Sequence, residues 1–247
     1  MKNWIQRLPL VSVTPFTLQD FPGRSACILW FAGCQMRCPY CHNPDFVLGK
    51  CERMDWENTL RFLRNRRRFL EGVTLSGGEC LLSSAVEPMI EEIKQLGFQV
   101  KVDTNGGSPE RLQLLLERGW IDYVALDFKA PLDDYERVTG WDCSELWERS
   151  FAALRSSGVS FELRTTVHPE IVDEACVDRM FDYLNTQGYT GTLYLQHFQN
   201  APKTIGSHGA AKRRFRLSDL NREVGFELRF RNFTAHEVRA FEALQPV

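Results

Sequence analysis

The stretch SACILWFAGCQMRCPYCHNP, residues 25–44, carries the two patterns that decide how the chain is read. Ser25–Phe31 is almost continuously apolar and of strand length, as a strand buried on both faces must be. The residues after it place Cys34, Cys38 and Cys41 within eight positions, with no fourth cysteine at a matching distance. In folds built on parallel strands, ligands bind where strands end at their carboxyl edge. A buried strand running straight into three thiols is therefore the place to start.

Working outward, five further runs read as strands: 72–76, 98–104, 123–128, 161–167 and 192–198. Between them Asp55–Leu70, Ala85–Leu96, Pro109–Arg118, Ser144–Ser156 and Asp173–Asn185 each suit an amphipathic helix. Asp55 is placed as an N-cap, and Gly97, Gly119, Gly158 and Gly188 stand where helices should stop. Six β/α units in succession suit a doubly wound sheet or an open, partial barrel. Nothing reads as an inter-domain linker, an internal repeat or a low-complexity segment. The expected organisation is a single domain over 1–247, with a core at about 20–200 and a C-terminal extension over 201–247. In that extension ELRFRN (227–232) alternates as an edge strand would, and KRRFRLSDLNREV (212–224) suits a surface helix.

The chain of 247 residues is 43% hydrophobic and 25% charged, values of an ordinary soluble globular protein. Its net charge of −2 recruits neither nucleic acid nor an anionic membrane. Two local basic runs, Arg61, Arg64, Arg66, Arg67 and Arg68, then Lys212, Arg213, Arg214 and Arg216, read as solvated faces or as docking surface for an acidic protein. No apolar run reaches membrane-spanning length, and the N-terminus does not read as a signal peptide. A cytoplasmic location is expected. There, the eight cysteines point to metal or redox chemistry rather than to disulfides.

The residues that follow each strand are unusual. After the first come the three cysteines; after the second, Gly77, Gly78 and Glu79; after the third, Thr104, Asn105 and Gly106. The fourth ends in Asp127, Phe128 and Lys129, the fifth carries Arg164 and leads to His168, and the sixth ends in Gln196 and His197. Six such groups in succession make a site. Zinc would want a fourth protein ligand, which neither the adjacent His42 nor Cys51 ten residues on supplies well. A [4Fe–4S] cluster is normally held by four cysteines. Held by three, it keeps one iron open for a substrate or cofactor.

Cys34, Cys38, Tyr40 and Cys41 match C-x3-C-x-aromatic-C, and here the chain resembles the radical S-adenosylmethionine (SAM) superfamily. The resemblance implies a partial (β/α)6 open barrel and a [4Fe–4S] cluster on the three cysteines, with SAM chelating the open iron. It also implies reductive cleavage of SAM to a 5′-deoxyadenosyl radical that abstracts hydrogen, chemistry the cofactors supply and the protein orients. LSGGEC (75–80) resembles the family's Gly-Gly-Glu motif, with Cys80 where proline is usual. Gly77 and Gly78 would let backbone approach the ligand, and Glu79 would accept from its ammonium group. VDTNGG (102–107), DFKAPLDDYERVTG (127–140) and LRTTVHPE (163–170) narrow the resemblance to the glycyl-radical-enzyme activases, above all those of anaerobic ribonucleotide reductase.

That resemblance assigns Lys129 to the SAM carboxylate and Asn105 to its ribose. Arg164 would be a further polar partner, His197 would flank the adenosine, and Tyr40 and His42 would lie at the adenine end. Asp103, Thr104 and Asp127 would offer oxygen ligands to a monovalent cation. The implied partners are a glycyl-radical enzyme and an electron donor of the flavodoxin or ferredoxin kind. Two other functions stay open: a radical SAM enzyme acting on a small, purine-like molecule, and a non-catalytic Fe–S or zinc binding module. The latter leaves Gly77–Glu79, Asp103–Asn105 and Lys129 without a role.

Overall fold

The computed structural model describes residues 2–200, 203–206, 211–221 and 223–243. In chain order its strands and helices are β1 (Leu10–Thr17), β2 (Ala26–Phe31), α1 (Pro44–Val47), α2 (Trp56–Arg66), β3 (Gly72–Gly77), α3 (Val86–Gln95), β4 (Gln99–Thr104) and α4 (Pro109–Glu117). Then follow β5 (Tyr123–Asp127), α5 (Tyr135–Thr139), α6 (Ser144–Ser157), β6 (Ser160–Val167), α7 (Glu174–Thr186), β7 (Thr192–His197), β8 (Glu227–Arg231) and α8 (Ala235–Ala243). All six expected strands and all five expected helices form, their ends shifted by about a turn at most. The chain makes two compact units. One takes residues up to Met36, Asn43–Leu126 and Glu145–Phe161; the other takes Arg37–His42, Asp127–Ser144 and Glu162 onward.

In the first unit β2, β3, β4 and β5 run parallel, with Leu29, Leu75, Val102 and Val124 facing one another in register. All four are fully buried, one apolar row across the unit's core. Helix α3 buries Val86, Met89, Ile90 and Ile93, the spacing of a single helical face. The Asp55 carboxylate caps α2 by accepting from the Asn58 N–H at 2.8 Å. Gly97, Gly119, Gly158 and Gly188 all take left-handed backbone where the helices stop. Strand β1 was not expected. It lies antiparallel to β2 (Val13 opposite Leu29), is largely half-buried, and carries Pro15, which a strand tolerates at a sheet edge.

In the second unit β6, β7 and β8 run parallel through Leu163, Leu193 and Leu228. The ELRFRN strand therefore forms, paired with β7. Helix α7 buries Val177, Met180, Phe181 and Leu184, and Asp173 caps it by accepting from the Cys176 N–H at 2.9 Å.

The surface helix expected over 212–224 does not form. Among the described residues, which leave out Arg222, there is one 3-10 turn, Leu217–Asp219. Phe215 and Leu217 are both buried, an alternation that suits extended chain rather than helix. The basic run itself is tied down. The Arg213 guanidinium grips both Glu174 oxygens at 2.7 and 2.6 Å, the Arg216 N–H reaches the same carboxylate at 2.7 Å, and Arg214 pairs with Glu237 at 3.1 Å. The other run, Arg61, Arg64, Arg66, Arg67 and Arg68, is exposed. No helix among the described residues is long and apolar enough to cross a membrane.

Candidate cofactor site

In the first unit the carboxyl end of β3 is pressed against the start of the cysteine loop. The Gly78 N–H donates to the Phe31 carbonyl at 2.8 Å, and the Glu79 N–H donates to the Gly33 carbonyl at 2.8 Å. A Cβ on Gly77 would stand 2.5 Å from the Phe31 nitrogen, and one on Gly78 would stand 2.1 Å from the Gly33 oxygen. Gly77 also has φ +124°, where side chains are strained. The two glycines thus admit the backbone that carries Cys34, and that contact by itself forbids a side chain.

Glu79 is 1% exposed, and its carboxylate serves the protein. Oε1 accepts from the Leu81 N–H at 3.0 Å and from the Thr104 hydroxyl at 2.9 Å; Oε2 accepts from the Asn105 N–H at 2.7 Å. Glu79, expected to accept from the ammonium group of SAM, also braces the β4 turn. From that turn the Asn105 amide nitrogen reaches the Cys34 sulfur at 3.6 Å. Asp103 pairs with the fully buried Lys101 two residues earlier on β4. The sequence signal for Lys101 was slight: a lysine set between Val100 and Val102 in a strand expected to lie inside the sheet. Cys80, the residue in place of proline, is wholly buried and donates to the Asp103 carbonyl at 3.4 Å. Burial, reinforced by the Glu79 and Asp103 charges, pushes its thiol well up, so it stays protonated and inert.

In the second unit Cys38 is 6% exposed and Cys41 half-buried. Burial pushes the Cys38 thiol up to about 11, with the Lys129 ammonium pulling the other way. Lys129 pairs with Asp127 at 2.8 Å, and its backbone carbonyl receives the Tyr40 hydroxyl at 3.5 Å. Burial alone would lower the lysine; Asp127 outweighs it, and Lys129 stays charged. His42 Nε2 donates to the Gln199 carbonyl at 2.7 Å, and its ring stacks on Phe198 with centroids 4.9 Å apart. Phe198, just past the end of β7, was not singled out; an aromatic directly after the rim histidine was the available signal.

His197 points Nδ1 at the Phe198 carbonyl, 2.8 Å away, which makes Nδ1 the donor; in the neutral ring Nε2 is then the acceptor. That Nε2 is buried and has no hydrogen-bond partner among the described residues. Arg164 lies inside β6 and donates to Glu162 at 2.6 Å, a buried carboxylate two residues away on the same face. Arg164, expected as a polar partner at the rim, is thus found in an ion pair within the strand. Asp103 and Asp127 likewise each answer a lysine two residues away, and Thr104 donates to Glu79, so the groups expected around a cation are engaged internally.

The donor set can be tested against the implied cofactors. In the first unit the Cys34 thiol with its amide donor, and in the second the Cys38 thiol with the Lys129 ammonium near it, each suit a ligand of an anionic iron–sulfur centre. A charged Lys129 suits a carboxylate, and the orphaned His197 acceptor suits an amine or hydroxyl. The residues fit. Among the described residues no three His, Cys, Asp or Glu side chains already stand together as a metal-ion site.

With this geometry established, residues 28–182 match the radical SAM superfamily, and the chain belongs to it. Membership implies a [4Fe–4S] cluster and SAM as cofactors. A protein of Methanocaldococcus jannaschii, named provisionally as a glycyl-radical enzyme activating enzyme, is 34% identical over 168 residues, covering 64% of this chain and 68% of its own. The pyruvate formate-lyase-activating enzyme of Clostridium pasteurianum is 30% identical over 169 residues, covering 66% and 69%. The solved structure of native anSMEcpe with bound AdoMet superposes with a TM-score of 0.59 at 16% identity, covering 76% of this chain and 54% of that one. The chain thus spans about half of that structure. At such identity the likeness shows the fold: α/β with a parallel-dominated sheet, consistent with the open, partial barrel expected.

Proposed function

We propose that this chain is a glycyl-radical-enzyme activase whose partner is an anaerobic ribonucleotide reductase. One observation carries the reading. The cysteine loop and the Asp103–Asn105 turn, which lie in segments that resemble activase sequences, are hydrogen-bonded into one assembly through the Gly77–Glu79 turn, which resembles a superfamily motif. Two activase relatives at about 30% identity support it.

In this reading Cys34, Cys38 and Cys41 hold the cluster, Lys129 meets the SAM carboxylate, and His197 accepts from the adenosine. When bound, the cluster and SAM supply a one-electron reductive cleavage whose radical product removes a hydrogen atom from a backbone glycine. The electron comes from a flavodoxin- or ferredoxin-like donor. The chain's own contribution is positional. Glu79 braces two rim turns, the half-buried Lys129–Asp127 pair keeps the lysine ammonium in place, and glycines at 77 and 78 keep β3 in contact with the cysteine loop. The exposed Arg61–Arg68 face offers basic surface to an acidic partner, an effect that weakens with salt.

The test is anaerobic electron paramagnetic resonance on the protein mixed with SAM, reductant and a candidate reductase. A glycyl doublet is expected, absent when Cys38→Ala replaces the wild type. Turnover of a small molecule with SAM, with no doublet from any glycyl-radical protein of the same cell, would favour the purine-type enzyme and overturn the activase reading.

A further inference from the structure

Asn105 is 4% exposed, and both ends of its side chain are accounted for. Its amide oxygen accepts from the Gly107 N–H at 2.9 Å, so the end facing Cys34 Sγ at 3.6 Å is the NH2 group, a donor. The amide cannot swing freely. The Asn105 backbone N–H is held by Glu79 Oε2 at 2.7 Å, while Glu79 Oε1 is held by Thr104 and Leu81. The same Glu79 uses its own N–H to hold the Gly33 carbonyl at 2.8 Å, next to the acceptor sulfur. One buried residue therefore fixes both the donor turn and the acceptor loop.

We propose that Asn105 donates a hydrogen bond to the cluster-ligating sulfur of Cys34 and raises the reduction potential of the cluster, with Glu79 as the positioning residue that aligns the two. The proposal rests on the reading of Cys34 as a cluster ligand. The physical reason is charge. Reduction adds an electron to an already anionic centre, and an N–H aimed at a ligating sulfur stabilises the reduced form more than the oxidised one. The chemistry at Cys80 differs. That sulfur is itself the donor, to a carbonyl, and lies in the core.

Asn105→Asp is the clean variant. It keeps an oxygen for the Gly107 N–H and changes only what faces the sulfur, from a donor to an anionic acceptor. Asn105→Ala removes the group. Reconstituted proteins are titrated anaerobically without SAM, following the reduced cluster by paramagnetic resonance. Both variants should have midpoints more negative than wild type, Asp more so than Ala. Glu79→Gln should shift the same way by less, although no SAM is present for it to contact. In wild-type protein carrying 15N-asparagine, pulsed hyperfine spectroscopy should show nitrogen coupling to the reduced cluster, a readout that needs no variant. Wild-type midpoints in loaded Asn105 variants, or no 15N coupling, would overturn the proposal. Failure of the wild type to hold iron at all would instead overturn the assignment of Cys34 as ligand.

Discussion

Gly78 lies so close to Gly33 that a Cβ on Gly78 would come within 2.1 Å of the Gly33 carbonyl oxygen. No side-chain rotation relieves that overlap, because the atom it meets is backbone. Gly78→Ala should therefore separate β3 from the cysteine loop and cost about 3 kcal/mol or more. Gly97→Ala is the comparison. It also has positive φ, but nothing lies within 4 Å, so only local strain of about 1–2 kcal/mol applies. Urea unfolding of the cluster-free proteins checks this, and equal losses would contradict it.

Replacement of Cys34, Cys38 or Cys41 by alanine should each abolish iron binding, and wild type should hold about four irons. Cys27 and Cys80 are buried, and Cys80 donates to backbone. Alanine there should lower stability while leaving the iron count unchanged. Iron and sulfide analysis after reconstitution decides it. About eight irons per chain would exclude a single cluster.

Glu79 and Lys129 should fail in different assays. Glu79→Ala strands the Leu81, Thr104 and Asn105 donors in the interior, each worth about 1–3 kcal/mol, so its loss should appear in the apo-protein as a lowered melting temperature. Lys129→Met removes a charge-assisted bond to the ligand and should weaken SAM binding by about 1.5–3 kcal/mol with the cluster retained. Calorimetry showing unchanged SAM affinity would remove Lys129 from the site.

The segment around Arg213 should loosen in acid. Burial alone would raise the Glu174 carboxyl; the Arg213 guanidinium and the Arg216 N–H outweigh it, and the group sits below its ordinary value. With a depressed folded-state pKa, the stability it contributes is present above the unfolded value of about 4.3 and lost as pH falls through the folded one. Protection over 212–217, the exchange rate divided into the intrinsic rate at each pH, should be flat from neutral pH to about 5 and fall below about 4. Glu174→Gln should show the low protection already at neutral pH. A pH-independent profile in wild type would count against the pairing.

Periodicity alone was enough for the strands and helices, because a buried row at Leu29, Leu75, Val102 and Val124 leaves its apolar signature in each local run. Strand β1 left none, being half-buried and interrupted by Pro15. The 212–224 helix was misread because basic residues look like a solvated helical face until Glu174 and Glu237 are seen to hold them.

The same boundary runs through the site. Spacing determined that three thiols share one loop and that polar groups follow each strand, since both are properties of neighbours along the chain. What those groups touch was decided only in three dimensions. Glu79 meets Asn105, Gly78 meets Gly33 and Asn105 meets Cys34 across many intervening residues. A buried carboxylate takes whichever donors the fold brings to it, and here they are the protein's own, because leaving buried N–H groups unpaired costs more than any one contact returns.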